Sequence, residues 1–334
     1  MRLSMICSSI IPIPGPTEPR TERTAPGAVS GPSARGSHRL SAAMICPRLW
    51  AFRYKRGVVP RRQKSYLILG SLIHTHLAYY FAWLIAQRGE TPPTWYADDK
   101  DTVLEADAEG QPELLDRAKR VFEDWKLAMT PWAGYPIAVE EEFRAPLKCL
   151  LPACPDDVAD EIVTCKVDLL DVRGGTTWVT DHKSSEGDHK TGRLAKWKDN
   201  GGFDLELQVH QNLHILRAQS DARLQQYPIR GFAIHRLKRA PPFEADLHSI
   251  EVPGPAYEES IFTMIEAVRR ERQIEANLAA GRKPAPNIGY HCQRCDYVQV
   301  CSARSRGDRQ GILDEQFVQL PPRTAMSSKK VQPQ

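Results

Sequence analysis

The chain predicts an α/β fold, a central sheet flanked by helices, on three observations. Residues Thr164 to Ser185 form two apolar, β-branched-rich runs around Gly174-Gly175, the pattern of a tight two-residue hairpin. IAVEEEFRAPL (137–147) alternates as a first strand should, and 227–240 with 245–252 reads as a further antiparallel pair. Segments of helical periodicity lie before, between and after these strands. With 334 residues the chain can bury one large core or two modest ones, and 41% hydrophobic with 26% charged residues excludes the extreme compositional classes. The net charge of +4 is small, so any affinity for a polyanion must come from local patches. No apolar run approaches the roughly 18 to 20 residues that span a bilayer, and the opening MICSSIIPIP is too short and proline-interrupted for a signal peptide core. A cytoplasmic protein without a membrane partner is the expectation.

Residues 1–40 hold six prolines among Ser, Thr, Gly and Arg, a composition that cannot bury enough surface to order. A flexible arm, a transit peptide and an over-extended reading frame all suit it, although Glu18 and Glu22 weigh against the transit peptide. Ser41 is placed to cap a helix through AAMICPRLWAFRYKRG. From Arg48 to Lys64 there are seven basic residues and no acid, interleaved with Trp50, Phe52 and Tyr54. Such a stretch suits a nucleic-acid backbone and its bases, and equally a helix with a buried aromatic face and a solvated basic one.

SYLILGSLIHTHLAYYFAWLIAQRG (65–89) reads as a largely buried helix carrying His74 and His76, which point in different directions. A polar connection is expected over 90–110, then an amphipathic helix Pro112–Met129 with Leu114, Ala118, Val121, Phe122 and Trp125 on one side. The hairpin carries the chemistry. With its turn centred on Gly174-Gly175, cross-strand partners have numbers summing to 349, so Asp168 sits opposite Asp181, and Lys183 shares that face. Opposed carboxylates need a cation between them, which suggests a divalent-metal site; the alternative is an ordinary surface hairpin with an Asp–Lys pair.

Beyond the hairpin, EGDHKTGRLAKWKDNGG (186–202) is long for a connection and basic through Lys190, Arg193, Lys196 and Lys198 beside Trp197, as a substrate-contacting lid would be. The helix FDLELQVHQNLHILRAQ places Gln208 and Asn212 one turn apart, facing back toward the hairpin. Glu206, His210 and His214 form another stripe, read as a solvated polar face in preference to a metal-ligand row. A last long helix covers about 257–280, and the tail 303–334 reads as disordered, leaving 41–302 as a single domain.

Of eight cysteines, Cys292, Cys295 and Cys301 lie within ten residues, and a sulfur site needs a fourth ligand, for which Cys46 is the best placed. Cys46-Pro47-Arg48-x-Trp50 with the distant trio resembles the split cysteine cluster of PD-(D/E)XK superfamily nucleases of the RecB-like, CRISPR-adaptation-type iron–sulfur class. Gly70-x3-His74, Val167-Asp168, Asp181-His182-Lys183 and Gln208 resemble that family's remaining landmarks in order. Cys165 stands where the family usually has glycine, and Asn212 where it has tyrosine.

The resemblance implies a restriction-endonuclease-like mixed sheet, with N-terminal helices and the C-terminal cysteine segment closing on each other. It implies a metal-dependent DNA exonuclease of recombination, repair or phage DNA processing, in a bacterial or phage-infected cell. The alternative is a DNA-binding subunit with a vestigial site. His74, Asp168, Asp181 and the His182 carbonyl would hold Mg2+ or Mn2+, and Asp168, Asp181, Lys183 and Gln208 would be catalytic. Cys46, Cys292, Cys295 and Cys301 would hold a four-iron four-sulfur cluster, with Zn2+ as the alternative. Arg48, Arg53, Lys55, Arg56, Arg61 and Arg62, with Lys190, Arg193, Lys196, Trp197 and Lys198, would bind DNA at a free end in the family's manner, alongside a helicase or recombination protein.

Overall fold

A computed structural model describes residues 35–61, 63–108, 110–186, 206–241, 244–251 and 255–320. Its strands are β1 (Val58–Pro60), β2 (Tyr135–Pro146), β3 (Ile162–Arg173), β4 (Thr176–Ser185), β5 (Ile229–Lys238), β6 (Ala245–Glu251) and β7 (Phe317–Gln319). Its helices are α1 (Ser37–Ile45), α2 (Pro47–Trp50), α3 (Ser65–Gln87), α4 (Lys100–Asp107), α5 (Pro112–Met129), α6 (Leu147–Leu150), α7 (Leu207–Arg217), α8 (Ala222–Gln226), α9 (Pro255–Ala279), α10 (Val298–Ser302) and α11 (Arg306–Gln316).

Strands β2 to β6 form one sheet in sequence order, antiparallel except for β4 beside β5, which is parallel and makes the sheet mixed. A parallel neighbour needs a crossover, and α7 lies within the one that joins β4 to β5. One face of the sheet packs Val167, Leu170, Val179 and Phe232 against Leu213, Met264 and Val268 of α7 and α9. The other packs Val139, Leu169 and Leu237 against Leu77 and Phe81 of α3 and Phe122 and Trp125 of α5. The expected hairpin is present: Gly174 and Gly175 have φ of 56° and 78°, the left-handed pair that a two-residue turn demands. Its ladder runs from Arg173↔Thr176 to Leu169↔Thr180, the register read from the sequence.

Several boundaries differ from expectation. Ser41 is not a cap, because α1 already begins at Ser37 with Leu40 fully buried, so residues 35–40 belong with the folded body. The expected continuous helix also breaks at Cys46, which is extended (φ −157°, ψ 113°) because Pro47 excludes the helical conformation from the residue before it. The 90–110 connection contains α4, started by the Asp99 side chain accepting from Thr102 N–H. The tail is ordered through residue 320, since Ser305 and Asp308 form a capping box on α11 and β7 pairs with β1. Helix α3 is long and apolar enough, by length and composition, to cross a membrane, contrary to the sequence reading, but it is mostly buried within the protein.

The two ends of the chain close on each other. Phe52, Tyr297 and Phe317 stack with 5.2 Å between successive ring centroids, and Tyr297 donates to the Val58 carbonyl at 2.5 Å. Asn287 Nδ2 donates to the Ile45 carbonyl at 2.8 Å, beside Cys46. Buried Glu271 of α9 is the knot: it accepts from Arg35 Nε at 2.6 Å, from Arg39 Nε, and from Trp50 Nε1 at 3.2 Å. Glu271→Ala takes the shared acceptor from two guanidinium groups and an indole N–H, although Arg35 keeps Glu161 and Arg39 keeps Glu275 nearby. A loss of about 3 kcal/mol is expected in urea unfolding, the low end for a broken buried pair because both arginines keep some water. An unchanged unfolding midpoint would remove Glu271 from this role.

Candidate active site

At the end of the β3–β4 ladder the strands part. Asp168 Oδ2 takes the His182 backbone N–H at 2.8 Å, so a carboxylate stands where a backbone carbonyl would otherwise accept. From α3, the His74 Nδ1 comes within 3.6 Å of the same oxygen. His76, two residues on, instead faces the core, stacks on Phe122 at 5.0 Å and is driven down to about 3 by burial, then by Lys100 and Lys119.

A third group, which the sequence reading did not single out, joins them. Among the described residues, His74, Glu140 and Asp168 form the group whose metal-ligating atoms lie within 4.8 Å of one another. The β2–β3 register puts Glu140 at the position of Asp168, but no short turn joins these strands, so the register could not be counted from the sequence. Glu140 also has φ +51°, a left-handed conformation that costs a side-chain-bearing residue of the order of 1–3 kcal/mol. Burial raises its carboxyl to about 7, opposed by Lys166, whose Nζ is 2.8 Å away, while Asp168 adds to the rise.

Beside this group lies a closed triangle. Lys183 Nζ is 2.9 Å from Asp181 Oδ2 and donates to Gln208 Oε1 at 3.2 Å; Gln208 Nε2 donates to Asp181 Oδ1 at 2.7 Å. The helix that carries Gln208 therefore does face back to the hairpin, as expected. Burial alone would pull the Lys183 ammonium down, but Asp181, Glu206 and Asp168 outweigh it and hold it above its usual range. Burial pushes the Asp181 carboxyl up, with Lys183 opposing and Asp168 adding. Glu206, at the start of α7, enters the same field: burial raises it to about 7 against the pull of Lys183. The stripe it shares with His210 and His214 is not solvated, because both histidines are buried and His214 Nε2 lies 3.0 Å from both the Tyr257 carbonyl and Ser260 Oγ.

The donor set suits a hard divalent cation, since it offers carboxylate oxygens and one imidazole nitrogen. Asp181 Oδ2 is buried against the Lys183 ammonium at 2.9 Å with no hydrogen bond of good geometry, so an ion there would share this oxygen with the lysine. Two parts of the expected interface behave differently. Arg48 Nε donates to the Pro284 carbonyl and Arg61 to the Asp314 and Glu315 carbonyls, so both brace the terminal closure. Arg53, Lys55 and Arg56 are exposed, whereas Trp50 and Phe52 are core. Arg62, Lys190, Arg193, Lys196, Trp197 and Lys198 lie outside the described residues. Among the cysteines, Cys46 ends α1, Cys301 lies in α10, and both bear electrostatically on the Cys295 thiol, which burial raises. Cys292 Sγ is 3.7 Å from His291 Nε2.

The model of a family described as the PD-(D/E)XK nuclease superfamily matches residues 37–302. A solved structure described as a "putative exonuclease" from Eubacterium rectale is similar at 11% identity and a TM-score of 0.46, covering 81% of this chain and 93% of that one. The structure of SSO0001 is similar at 10% identity and a TM-score of 0.31, covering 73% of this chain and 98% of that one. No curated protein matches.

A cation bound at His74, Glu140 and Asp168 must displace the proton that Glu140 holds below about 7. Affinity for Mn2+ is therefore expected to rise as the pH is taken from 6 to 8, with proton release in calorimetric titrations. In Glu140→Gln the affinity should drop at least tenfold and the Glu140 share of the release should vanish. Equal Mn2+ affinity in the two proteins would exclude Glu140 as a ligand.

Proposed function

Because the chain belongs to the PD-(D/E)XK nuclease superfamily, we propose that it is a metal-dependent DNA exonuclease that hydrolyses phosphodiester bonds. The observation that carries this reading is the convergence of His74, Glu140 and Asp168 beside a lysine that Asp181 and Gln208 hold in place. A vestigial site would have no reason to keep Lys183 half-buried and tethered at two points.

His74, Glu140 and Asp168 would hold Mg2+ or Mn2+, with Asp181 contributing Oδ2 and His182 its carbonyl. When bound, such an ion polarises the scissile phosphate and lowers the pKa of a water. Lys183 then directs the attacking water and stabilises charge as the new P–O bond forms and the ester P–O bond breaks. Gln208 fixes the lysine and Asp181 in one geometry, and Asp181 keeps the ammonium protonated. Exposed Arg53, Lys55 and Arg56 would grip phosphates without reading sequence. The substrate is DNA with a free end, met in recombination, repair or phage DNA processing in a bacterial or phage-infected cell, where a helicase or recombination protein would supply it.

Digestion of end-labelled DNA with Mn2+ tests this: the wild-type protein is expected to shorten the strand progressively, and Asp181→Ala to lose at least a thousandfold in rate. Equal activity in both, or none in either, would favour a DNA-binding subunit instead.

Cys46, Cys292, Cys295 and Cys301 would hold a four-iron four-sulfur cluster that staples the terminal closure and takes no part in bond cleavage. Anaerobically purified protein should be brown with a broad visible absorbance and contain iron and acid-labile sulfide; a colourless, zinc-loaded protein would overturn the assignment.

A further inference from the structure

Behind the metal-site residues, on the α3–α5 side of the sheet, three buried polar side chains form a line. Trp125 Nε1 donates to His235 Nε2 at 2.8 Å, and His235 Nδ1 lies 2.8 Å from His182 Nδ1. Their exposures are 3%, 0% and 2%, so water does not compete for these bonds. The line follows from the sheet, since His182 and His235 are register partners on parallel β4 and β5.

The direction of the chain is dictated by its first member. An indole nitrogen only donates, so His235 Nε2 must be bare and its proton must sit on Nδ1. His235 Nδ1 therefore donates, His182 Nδ1 accepts, and the His182 proton must be on Nε2. That nitrogen is buried with no partner among the described residues. The His182 ring is further fixed by stacking on Phe81 at 5.7 Å and 3°, and the His74 ring meets it edge-on at 5.8 Å and 85°.

His182 is thus tied at both ends. Its side chain is anchored in the line, while its backbone N–H holds Asp168 Oδ2, the oxygen 3.6 Å from His74 Nδ1. Its neighbours along the strand are Asp181 and Lys183. We propose that Trp125, His235 and His182 form a one-way hydrogen-bond chain that positions Asp168, His74 and the Asp181–Lys183 pair for the cation. All three side chains are positioning groups and none touches substrate; the contact proposed above between His182 and the ion is made by its backbone carbonyl. This inference rests on the metal-site reading above and adds the buried apparatus that holds it in shape. Outer partners of this kind typically change metal affinity 10- to 100-fold when removed.

The test compares two replacements of one residue. Asparagine places an amide N–H where His235 Nδ1 stood and can still donate to His182, whereas leucine fills the space without a donor. Mn2+ affinity, measured by calorimetry on the full chain, is expected to fall about tenfold in His235→Leu and to be largely rescued in His235→Asn, although both lose stability. Equal affinities in the two variants would overturn the proposal, as would a wild-type protein that binds no Mn2+. The nuclease reading fails separately, if the wild type binds Mn2+ but leaves end-labelled DNA intact. Should His235→Leu not fold, long-range proton–nitrogen correlation on histidine-labelled wild type decides. A His182 proton on Nε2 supports the chain and a proton on Nδ1 refutes it.

Discussion

The site depends on the place where β3 and β4 stop pairing. A ladder that continued past Leu169 and Thr180 would spend the His182 N–H on a backbone carbonyl; here Asp168 supplies the acceptor from its side chain. That exchange fixes the Asp168 carboxylate without using both of its oxygens. It also opens the sheet where two helical layers can both reach it. Helix α3 delivers His74 from one layer, and α7 delivers Gln208 from the other. An imidazole and an amide rooted on opposite faces therefore meet at one strand end, which an unbroken ladder would have kept apart.

The terminal closure is coupled to this strand. The Arg35 carbonyl accepts from Thr164 N–H at 3.2 Å, and Gln211 Nε2 bridges the Arg35 and Thr164 carbonyls at 3.2 and 2.9 Å. The start of α1 is thus bonded to β3 four residues before Asp168, while Arg35 and Arg39 are knotted to Glu271 on α9. The N-terminal helix, α9 and β3 are joined by these bonds, and Asn287 Nδ2 to the Ile45 carbonyl ties the segment ahead of the cysteines to the same helix. A cluster that staples the ends would reach the site through these contacts, with no electron needing to move.

What was legible in the sequence was what short-range rules control. Gly174-Gly175 set both the turn and the register of 169–173 on 176–180, so the strand faces could be counted up to the point where the ladder ends, one residue short of Asp168 and Asp181. Helix α5 follows from Pro112 at its start and one apolar stripe. Glu140 was hidden because it sits in a Glu-Glu-Glu run on a strand joined to β3 through residues 147–161, and because its left-handed backbone breaks the alternation used to assign faces. His182 was read for its carbonyl alone, since nothing local reveals that β5 runs parallel beside it and brings His235 against its ring. The stripe of Glu206, His210 and His214 was misjudged for a related reason: polarity along a helix says nothing of the partners that tertiary packing supplies.

The charges at the site argue for a cation independently of any fold likeness. Four carboxylates, Glu140, Asp168, Asp181 and Glu206, converge on a region where Lys166 and Lys183 are the facing ammonium groups. Burial raises Glu140 and Glu206 to about 7, so without an ion the site lowers its negative charge by keeping protons. A stability-driven arrangement would replace such groups with apolar ones, because buried charge is costly even when paired. A site that takes up a divalent ion needs the opposite: carboxylates close enough to repel, protonated while they wait, and ready to exchange those protons for metal. The strained backbone of Glu140 belongs to the same account, since the only evident return on that strain is to bring a third ligand atom to His74 and Asp168.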